Sequence, residues 1–199
     1  MNTQAAPLVF ITGASSGIGQ ALAGRFADAG YRLALVARRT AEIESWANAR
    51  GMGADSYRIY SADVAVIDSI VAAGTDCLAT QGLPDVVIAN AGISVGIDTA
   101  ERRDLDVMAQ TFAINNIGLA ATFHPFVSGM VQRGSGRLVG IGSVASIRGL
   151  PGHGAYCASK AAVAALIAYV DVEFEPVRFN PDNAVIIGPP RTQDRKSVV

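Results

Sequence analysis

The sequence predicts an α/β fold in which a doubly wound, mainly parallel β-sheet lies between two layers of helices. Three observations predict this architecture. Short β-rich runs alternate with longer helical patterns, most of these runs are almost continuously apolar, and no linker or internal repeat divides the 199 residues. We therefore expect one domain over residues 1–199, with a polar tail at 193–199.

Six strands are expected, each a short run rich in apolar residues, at 8–11, 33–37, 57–60, 86–89, 138–141 and 184–187. Between them, helical patterns cover 19–29, 40–49, 105–131 and 155–175. The last helix should end before Pro176, because a proline inside a helix costs about 3 kcal/mol. Strands that alternate with helices in this way predict right-handed crossover connections and therefore parallel pairing.

Composition excludes several classes of protein. Half of the residues are hydrophobic and the formal net charge is -1, which excludes a disordered chain. Sixteen Lys and Arg residues against 17 Asp and Glu residues supply no basic field, so no nucleic acid partner is expected. The longest uninterrupted apolar run, 161–170, is too short to span a membrane.

The chain shows no signs of secretion or of a metal site. No basic segment leads into an apolar stretch at the N-terminus, so no secretory signal is visible. Cys77 and Cys157 make no metal-ligand spacing, and we expect free thiols in a cytoplasmic protein. His124 and His153 are too scattered for a metal site and are expected to be structural or surface residues.

The first predicted strand leads directly into a glycine-rich turn and a helix. Gly13 permits a tight turn, Gly17 lets the backbone approach a pyrophosphate, and Gly19 allows close packing of helix on strand. The N-terminus of the helix offers amide donors to an anion. The alternative is a glycine turn without a ligand. The residues expected to bind a cofactor in this loop are Gly13, Ser15, Ser16, Gly17, Ile18 and Gly19.

The end of the second predicted strand favours one nicotinamide cofactor. Ala37 occupies the position where NAD-binding sites usually carry an acidic residue for the ribose, and Arg38 and Arg39 follow. An acid there would repel a 2′-phosphate, whereas a guanidinium can pair with it. NADP(H) is therefore favoured over NAD(H). The alternative interpretation makes both arginines surface charges in a loop.

Two further turns follow the third and fourth predicted strands. In Asp63-Val64, the carboxylate either accepts a hydrogen bond from an adenine amino group or caps the next helix. In Asn90-Ala91-Gly92, the small residues suit close approach of a ribose, or the turn is purely structural and Asn90 stabilises the sheet edge.

Tyr156 and Lys160 form the strongest chemical motif. Their spacing of four residues puts them on one helical face, and Lys160 is the only lysine before Lys196. A neighbouring ammonium stabilises the phenolate form of a tyrosine, which lets the residue act as an acid or base near neutral pH. The alternative is a chance pair on an exposed helix face.

Two polar residues accompany this motif. Ser143 follows the fifth predicted strand, where it either holds a substrate oxygen or serves as an ordinary turn residue. Asn115 lies among apolar neighbours in the predicted helix at 105–131. It either binds a water or bonds a neighbouring carbonyl and bends the helix.

The order and spacing of these motifs resemble the short-chain dehydrogenase/reductase family over residues 8–192. The resemblance rests on Thr12-Gly-x-x-x-Gly17-x-Gly19, Asn90-Ala91-Gly92, Asn115, Ser143 and Tyr156-x-x-x-Lys160. It implies a Rossmann-like NAD(P) fold with Asn115, Ser143, Tyr156 and Lys160 as catalytic tetrad. In that family the tyrosine is the general acid or base, the serine orients the carbonyl, the lysine tunes the tyrosine and binds the nicotinamide ribose, and the asparagine holds a proton-relay water.

Three positions depart from the family pattern. Ala89 and Gly142 replace an asparagine and a serine of family motifs, and the segment 187–192 loses a proline while Gly188 and Thr192 keep their places as expected cofactor contacts. The resemblance implies further covering helices and a seventh strand used in subunit association. We therefore expect a C-terminally shortened member of the family, which leaves a homo-oligomer possible but unassigned.

Together the motifs predict an NADP(H)-dependent oxidoreductase that interconverts a small-molecule carbonyl and a secondary alcohol, with Tyr156 as general acid or base. A non-catalytic dinucleotide-binding or interaction protein with an incomplete substrate pocket is the alternative. Residues 93–96 and 148–153 are expected to border the pocket. Their mixed character selects no class of substrate.

Overall fold

The computed structural model describes residues 6–173. Within this range one parallel sheet contains five strands, in the order β3-β2-β1-β4-β5. The strands are β1 (Leu8–Thr12), β2 (Arg32–Ala37), β3 (Tyr57–Ser61), β4 (Val86–Ala89) and β5 (Arg137–Gly140). The predicted α/β fold class is confirmed. The sixth predicted strand, at 184–187, lies outside the described residues.

Helices cover both faces of the sheet. They are α1 (Gly17–Asp28), α2 (Thr40–Ala49), α3 (Ile67–Thr80), α4 (Asp104–Phe112), α5 (Gly118–Arg133) and α6 (Gly154–Glu173). Helices α1 and α2 pack on one face, and α3, α5 and α6 pack on the other, so the sheet separates two apolar cores. Within residues 6–173, no helix is both long and apolar enough to traverse a bilayer.

The core on the α3, α5 and α6 side is centred on aromatic side chains. Phe10 of β1 and Phe126 of α5 are fully buried, and their ring centroids are 4.9 Å apart. Burying one such side chain stabilises the fold by roughly 1.5–3 kcal/mol. Because every residue of β1 is buried, the central strand carries apolar side chains to both cores. This explains its continuous apolar pattern.

The predicted continuous helix at 105–131 is wrong in its middle. After α4, residues Ala113–Ile117 form a π-helical turn, and α5 then continues the path to Arg133. Gly118 N donates to Ala113 O, five residues back. The apolar residues at 105–131 keep the spacing of an ordinary α-helix, so their pattern does not reveal this wider turn. Single π turns inside α-helices are frequent at functional sites.

Strand order reverses at β1, which lies between β2 and β4. The connections after β1 and β4 therefore leave the sheet in opposite directions and open a crevice at its carboxyl edge. Ligands of doubly wound folds bind at such a reversal point.

Candidate active site

A crevice of about 320 Å³ lies at the carboxyl ends of β1 to β4. Most of the residues predicted to bind a cofactor line it: Gly13, Ser15, Ser16, Ile18, Arg38, Arg39, Asp63, Val64, Asn90, Ala91 and Gly92. Gly17 and Gly19 shape the loop beside the crevice. Gly188 and Thr192 lie outside the described residues. The volume falls in the range typical of small-molecule sites.

The glycine loop is built for close approach. Gly13 has φ of 68° and Gly17 has φ of 54°, in the left-handed region that favours glycine. A Cβ at Gly19 would overlap Gly13 O and lie 2.6 Å from Asn90 Nδ2, so the first turn of α1 packs directly on the loop. A Cβ at Gly17 would meet no protein atom within 4 Å. The loop therefore leaves open space at the N-terminus of α1, where amide donors favour an anion.

Thr12 and Asn90 hold the two sides of the crevice together. Thr12 Oγ1 accepts hydrogen bonds from Asn90 N at 3.1 Å and from Ala91 N at 3.2 Å. Asn90 Nδ2 donates to Thr12 O at 2.9 Å and to Gly13 O at 3.3 Å. The side chain of Asn90 thus stabilises the sheet edge. This is the structural role that the sequence analysis gave as the alternative to ribose binding. Sequence reasoning missed the matching role of Thr12.

The two arginines after β2 have different surroundings. Arg39 Nη2 donates to Ser16 Oγ at 3.2 Å and to Ser15 Oγ at 3.4 Å, while its Nη1 lies 3.2 Å from Glu42 Oε1. Arg38 Nη1 lies 3.6 Å from Asp63 Oδ2 and is more exposed. The guanidinium of Arg39 is therefore held against the glycine loop, and that of Arg38 against the turn after β3.

Asp63 does not cap α3 directly. Its Oδ1 accepts a hydrogen bond from Ala65 N at 2.9 Å, and its own N donates to Ser69 Oγ at 3.1 Å. The N-cap of α3 is Val66, which has no side-chain cap. Asp63 instead stabilises the turn that precedes the helix, with its other carboxylate oxygen toward Arg38.

Asn115 lies in the π-helical turn with its side chain bonded outside the helix. Its Oδ1 accepts from Ile93 N at 2.9 Å, and its Nδ2 donates to Ile93 O at 3.0 Å and to Ser159 Oγ at 2.9 Å. The neighbouring Asn116 Nδ2 donates to Ser159 O at 2.8 Å. Both asparagines therefore tether Ser159 of α6, a residue that sequence reasoning missed. The carbonyl that Asn115 bonds belongs to Ile93, 22 positions away, and not to a neighbouring residue of the helix as the second alternative has it.

Lys160 and Tyr156 lie together on α6. Lys160 is only 7% exposed, and its Nζ donates to Ile141 O over 2.7 Å and lies 5.7 Å from the ring centroid of Tyr156. Burial lowers the pKa of Lys160 to about 8. A Cβ at Gly92 would lie 3.7 Å from Lys160 Nζ. Gly92 lines the crevice, so Lys160 lies beside one residue of its wall, whereas Lys160 and Tyr156 are not among the lining residues themselves.

Ser143 begins the short 3₁₀ turn Val144–Ser146 after β5. Its Oγ accepts a hydrogen bond from Ala145 N at 3.1 Å, as expected for a turn residue. The turn packs against α6, which carries Tyr156. The predicted tetrad is thus distributed over the π-helical turn, the turn after β5 and one face of α6.

The family model of the short chain dehydrogenases matches residues 7–197. The chain belongs to this family. An uncharacterized oxidoreductase of Mycobacterium tuberculosis is 33% identical over 196 residues, which cover 92% of this chain and 55% of that relative. D-threitol dehydrogenase of Mycolicibacterium smegmatis is 31% identical over 182 residues, covering 90% of this chain and 70% of that relative.

The solved structures agree with this membership. An alcohol dehydrogenase from the archaeon Thermococcus sibiricus, complexed with 5-hydroxy-NADP, superimposes with a TM-score of 0.79 and 30% identity. The match covers 86% of this chain and 73% of that one. This short-chain dehydrogenase spans about half the length of several curated relatives that it matches.

Proposed function

We propose that this short-chain dehydrogenase interconverts a carbonyl and a secondary alcohol with NADP(H) as cofactor. The observation that carries the proposal is the buried Lys160 beside Tyr156, with Lys160 Nζ close to Gly92 of the crevice wall. A buried ammonium next to a tyrosine is the arrangement that makes a phenol useful as an acid or base.

The residues of the crevice fit a dinucleotide. The glycine loop leaves room beside the N-terminus of α1 for a pyrophosphate, with Ser15, Ser16 and Ile18 around it. No acidic residue follows β2 directly, and Arg38 and Arg39 are available to a 2′-phosphate. Asp63 and Val64 would border the adenine. The turn Asn90-Ala91-Gly92 would border the ribose. When bound, the nicotinamide supplies or accepts the hydride.

The chain's own residues would move the proton and hold the substrate. Tyr156 donates its phenolic proton to the carbonyl oxygen in reduction and takes it back in alcohol oxidation. Lys160, held by Ile141 O, stabilises the phenolate that remains. The Ser143 hydroxyl, which accepts from Ala145 N, can donate its hydrogen to the substrate oxygen. Asn115 positions the segment after β4 against α6, and we assign it the proton-relay role of the family.

NADPH oxidation with a panel of ketones and quinones tests the reaction, alongside a titration of NADPH binding. Tyr156→Phe should abolish turnover and leave NADPH affinity intact, because it removes one hydroxyl and keeps the ring. An active Tyr156→Phe variant would refute the assignment. Binding of NADPH without turnover of any substrate would favour the non-catalytic alternative.

The choice of cofactor has its own test. The double variant Ala37→Asp with Arg38→Leu places a carboxylate where the ribose diol of NAD would lie and removes one guanidinium. We expect its preference to move from NADPH toward NADH, measured as the ratio of the two dissociation constants. An unchanged ratio would remove Arg38 from the phosphate site.

A further inference from the structure

Arg39 has an acidic partner on α2 in addition to its two partners in the glycine loop. Its Nη1 lies 3.2 Å from Oε1 of Glu42, three residues further along the chain. Its Nη2 donates to Ser16 Oγ at 3.2 Å and to Ser15 Oγ at 3.4 Å. The guanidinium is therefore shared between two hydroxyls of the loop and one carboxylate of the helix.

Glu42 contacts Arg39 from outside the crevice. Arg39, Ser15 and Ser16 line the crevice, whereas Glu42 is not among the described residues that line it. Glu42 lines a shallow groove between α1 and α2 instead, together with Ser15 and Trp46. A ligand in the crevice would therefore contact a guanidinium that already has a carboxylate partner in the neighbouring groove.

This partner changes the charge that the crevice offers to an anion. The ion pair of Arg39 and Glu42 is neutral as a unit, and a phosphate bound to Arg39 would be repelled by the nearby carboxylate. Arg38 also has a carboxylate close to it, since its Nη1 lies 3.6 Å from Asp63 Oδ2. The two arginines that line the crevice are thus matched by two carboxylates, which the sequence Arg38-Arg39 alone does not indicate.

The carboxylate of Glu42 is not needed to hold Arg39 in place. The hydroxyls of Ser15 and Ser16 already bind Nη2 at the loop. The side chains of Arg39 and Glu42 are 61% and 44% exposed, and an ion pair as exposed as this adds little stability because water screens it. What Glu42 adds to the site is therefore negative charge beside the guanidinium.

We propose that Glu42 is a specificity-determining residue that limits the preference of the crevice for NADP(H). Its carboxylate competes with the 2′-phosphate for the guanidinium of Arg39 and repels that phosphate, whereas the uncharged 2′-hydroxyl of NAD(H) is little affected. This inference rests on the proposed function, because it concerns the cofactor end of the same crevice.

Binding of nucleotide fragments to the full chain tests this inference without turnover. Adenosine 2′,5′-bisphosphate carries the 2′-phosphate, and adenosine 5′-monophosphate is the matched ligand without it. Isothermal titration calorimetry gives the ratio of their dissociation constants. Glu42→Gln keeps a hydrogen-bond acceptor for Arg39 and removes the charge. We expect this variant to favour the bisphosphate about fivefold more than the wild type does at low ionic strength.

Glu44→Gln is the matched control. It removes the same charge from the same helix, and in the part of the chain that the structure describes Glu44 is exposed and makes no ion pair. Residues two positions apart do not share a helix face, so Glu44 lies on another side of α2. Its ratio should stay within about twofold of the wild-type ratio. Equal effects of the two substitutions would overturn the proposal, because net charge alone would then explain them.

Glu42→Ala separates the charge of Glu42 from its hydrogen bond. It removes both, and it should favour the bisphosphate to the same extent as Glu42→Gln does, within about twofold. If Glu42 instead held Arg39 in place, Glu42→Ala would weaken binding of the bisphosphate and Glu42→Gln would not strengthen it. Either of these two results would overturn the proposal.

Binding of the whole cofactors separates this inference from the proposed function. In Glu42→Gln the dissociation constant for NADPH should fall about fivefold, and that for NADH should stay within about twofold. Unchanged constants, with NADPH still oxidised in the presence of a ketone, contradict the role of Glu42 and leave the proposed function standing. A wild-type chain that binds neither NADPH nor the bisphosphate contradicts the proposed function and the role of Glu42 with it.

Discussion

The side-chain amide of Asn115 donates a hydrogen bond to Ser159 Oγ over 2.9 Å and so joins the π-helical turn to helix α6. Ser159 Oγ in turn donates to Tyr156 O over 2.8 Å. Asn115 is 2% exposed and also makes two bonds to the backbone of Ile93 in the segment after β4. One buried amide therefore connects the crevice wall to the helix that carries Tyr156.

Asn115→Ala should destabilise the protein by about 2–4 kcal/mol, because three hydrogen bonds are lost and buried partners are left unsatisfied. Asn116→Ala is the matched control, since Asn116 makes one hydrogen bond, to Ser159 O, and should cost about 1 kcal/mol. Urea unfolding gives both free energies. An equal decrease in the free energy of unfolding in the two variants would show that the hydrogen bonds of Asn115 stabilise the protein no more than the single bond of Asn116 does.

Helix α1 offers a matched pair of glycine variants. A Cβ at Gly19 overlaps Gly13 O, so Gly19→Ala should destabilise the protein by roughly 1–3 kcal/mol and displace the glycine loop. At Gly24, in the same helix, the nearest atom is 3.6 Å from the added Cβ. Gly24→Ala should therefore stabilise the protein by up to about 1 kcal/mol. Thermal unfolding compares them, and shifts of the same sign would contradict the close packing at Gly19.

The sequence predicts those features that depend on local pattern. The apolar run at 86–89 and the helical pattern at 40–49 have the same bounds as β4 and α2. Both elements are predicted correctly because the spacing of apolar residues along a short segment determines which of its side chains can be buried. The glycine loop is recognisable for the same reason, since its turn, open space and helix start all lie within eight residues. The crevice follows from the strand order that such motifs imply.

Features that depend on distant contacts are not visible in the pattern. The π-helical turn accompanies bonds from Asn115 to residues 22 and 44 positions away. His153 gains a partner 59 positions away, and Arg39 gains two in the glycine loop. The sequence shows which residues are polar enough to make such contacts. It does not show which of them will be partners, because the partners are brought together only when distant segments pack against each other.

Arg39 should contribute more to the binding of NADPH than Arg38 does. Arg39 bonds Ser15 and Ser16 of the glycine loop, whereas Arg38 pairs with Asp63 at 3.6 Å and is more exposed. Arg39→Leu should raise the dissociation constant for NADPH about tenfold or more and change that for NADH little, since charged hydrogen bonds contribute roughly 1.5–3 kcal/mol. Fluorescence titration measures both constants. A larger effect from Arg38→Leu would reverse this assignment.

The two cysteines should react very differently with thiol reagents. Cys77 is fully buried, and burial raises the pKa of its thiol to about 12, so little thiolate exists at neutral pH. Cys157 is partly exposed near the start of α6, with Arg148 O and Leu150 N around its Sγ. We expect one thiol to be modified in the native protein and both after unfolding. A mass spectrum that locates the native adduct on Cys77 would contradict the packing of α3.

The burial of Lys160 should appear in the pH dependence of stability. Its pKa falls from 10.5 to about 8 on folding, so between these values the unfolded chain binds a proton that the folded chain has released. The free energy of unfolding therefore rises as the pH increases from about 8 to 10.5, by up to about 3 kcal/mol at 1.4 kcal/mol for each pKa unit. Lys160→Met lacks this group, so urea unfolding of both proteins across that range should show the wild type gaining stability relative to the variant. Parallel pH profiles would mean that the ammonium is as well solvated in the folded chain as in the unfolded one.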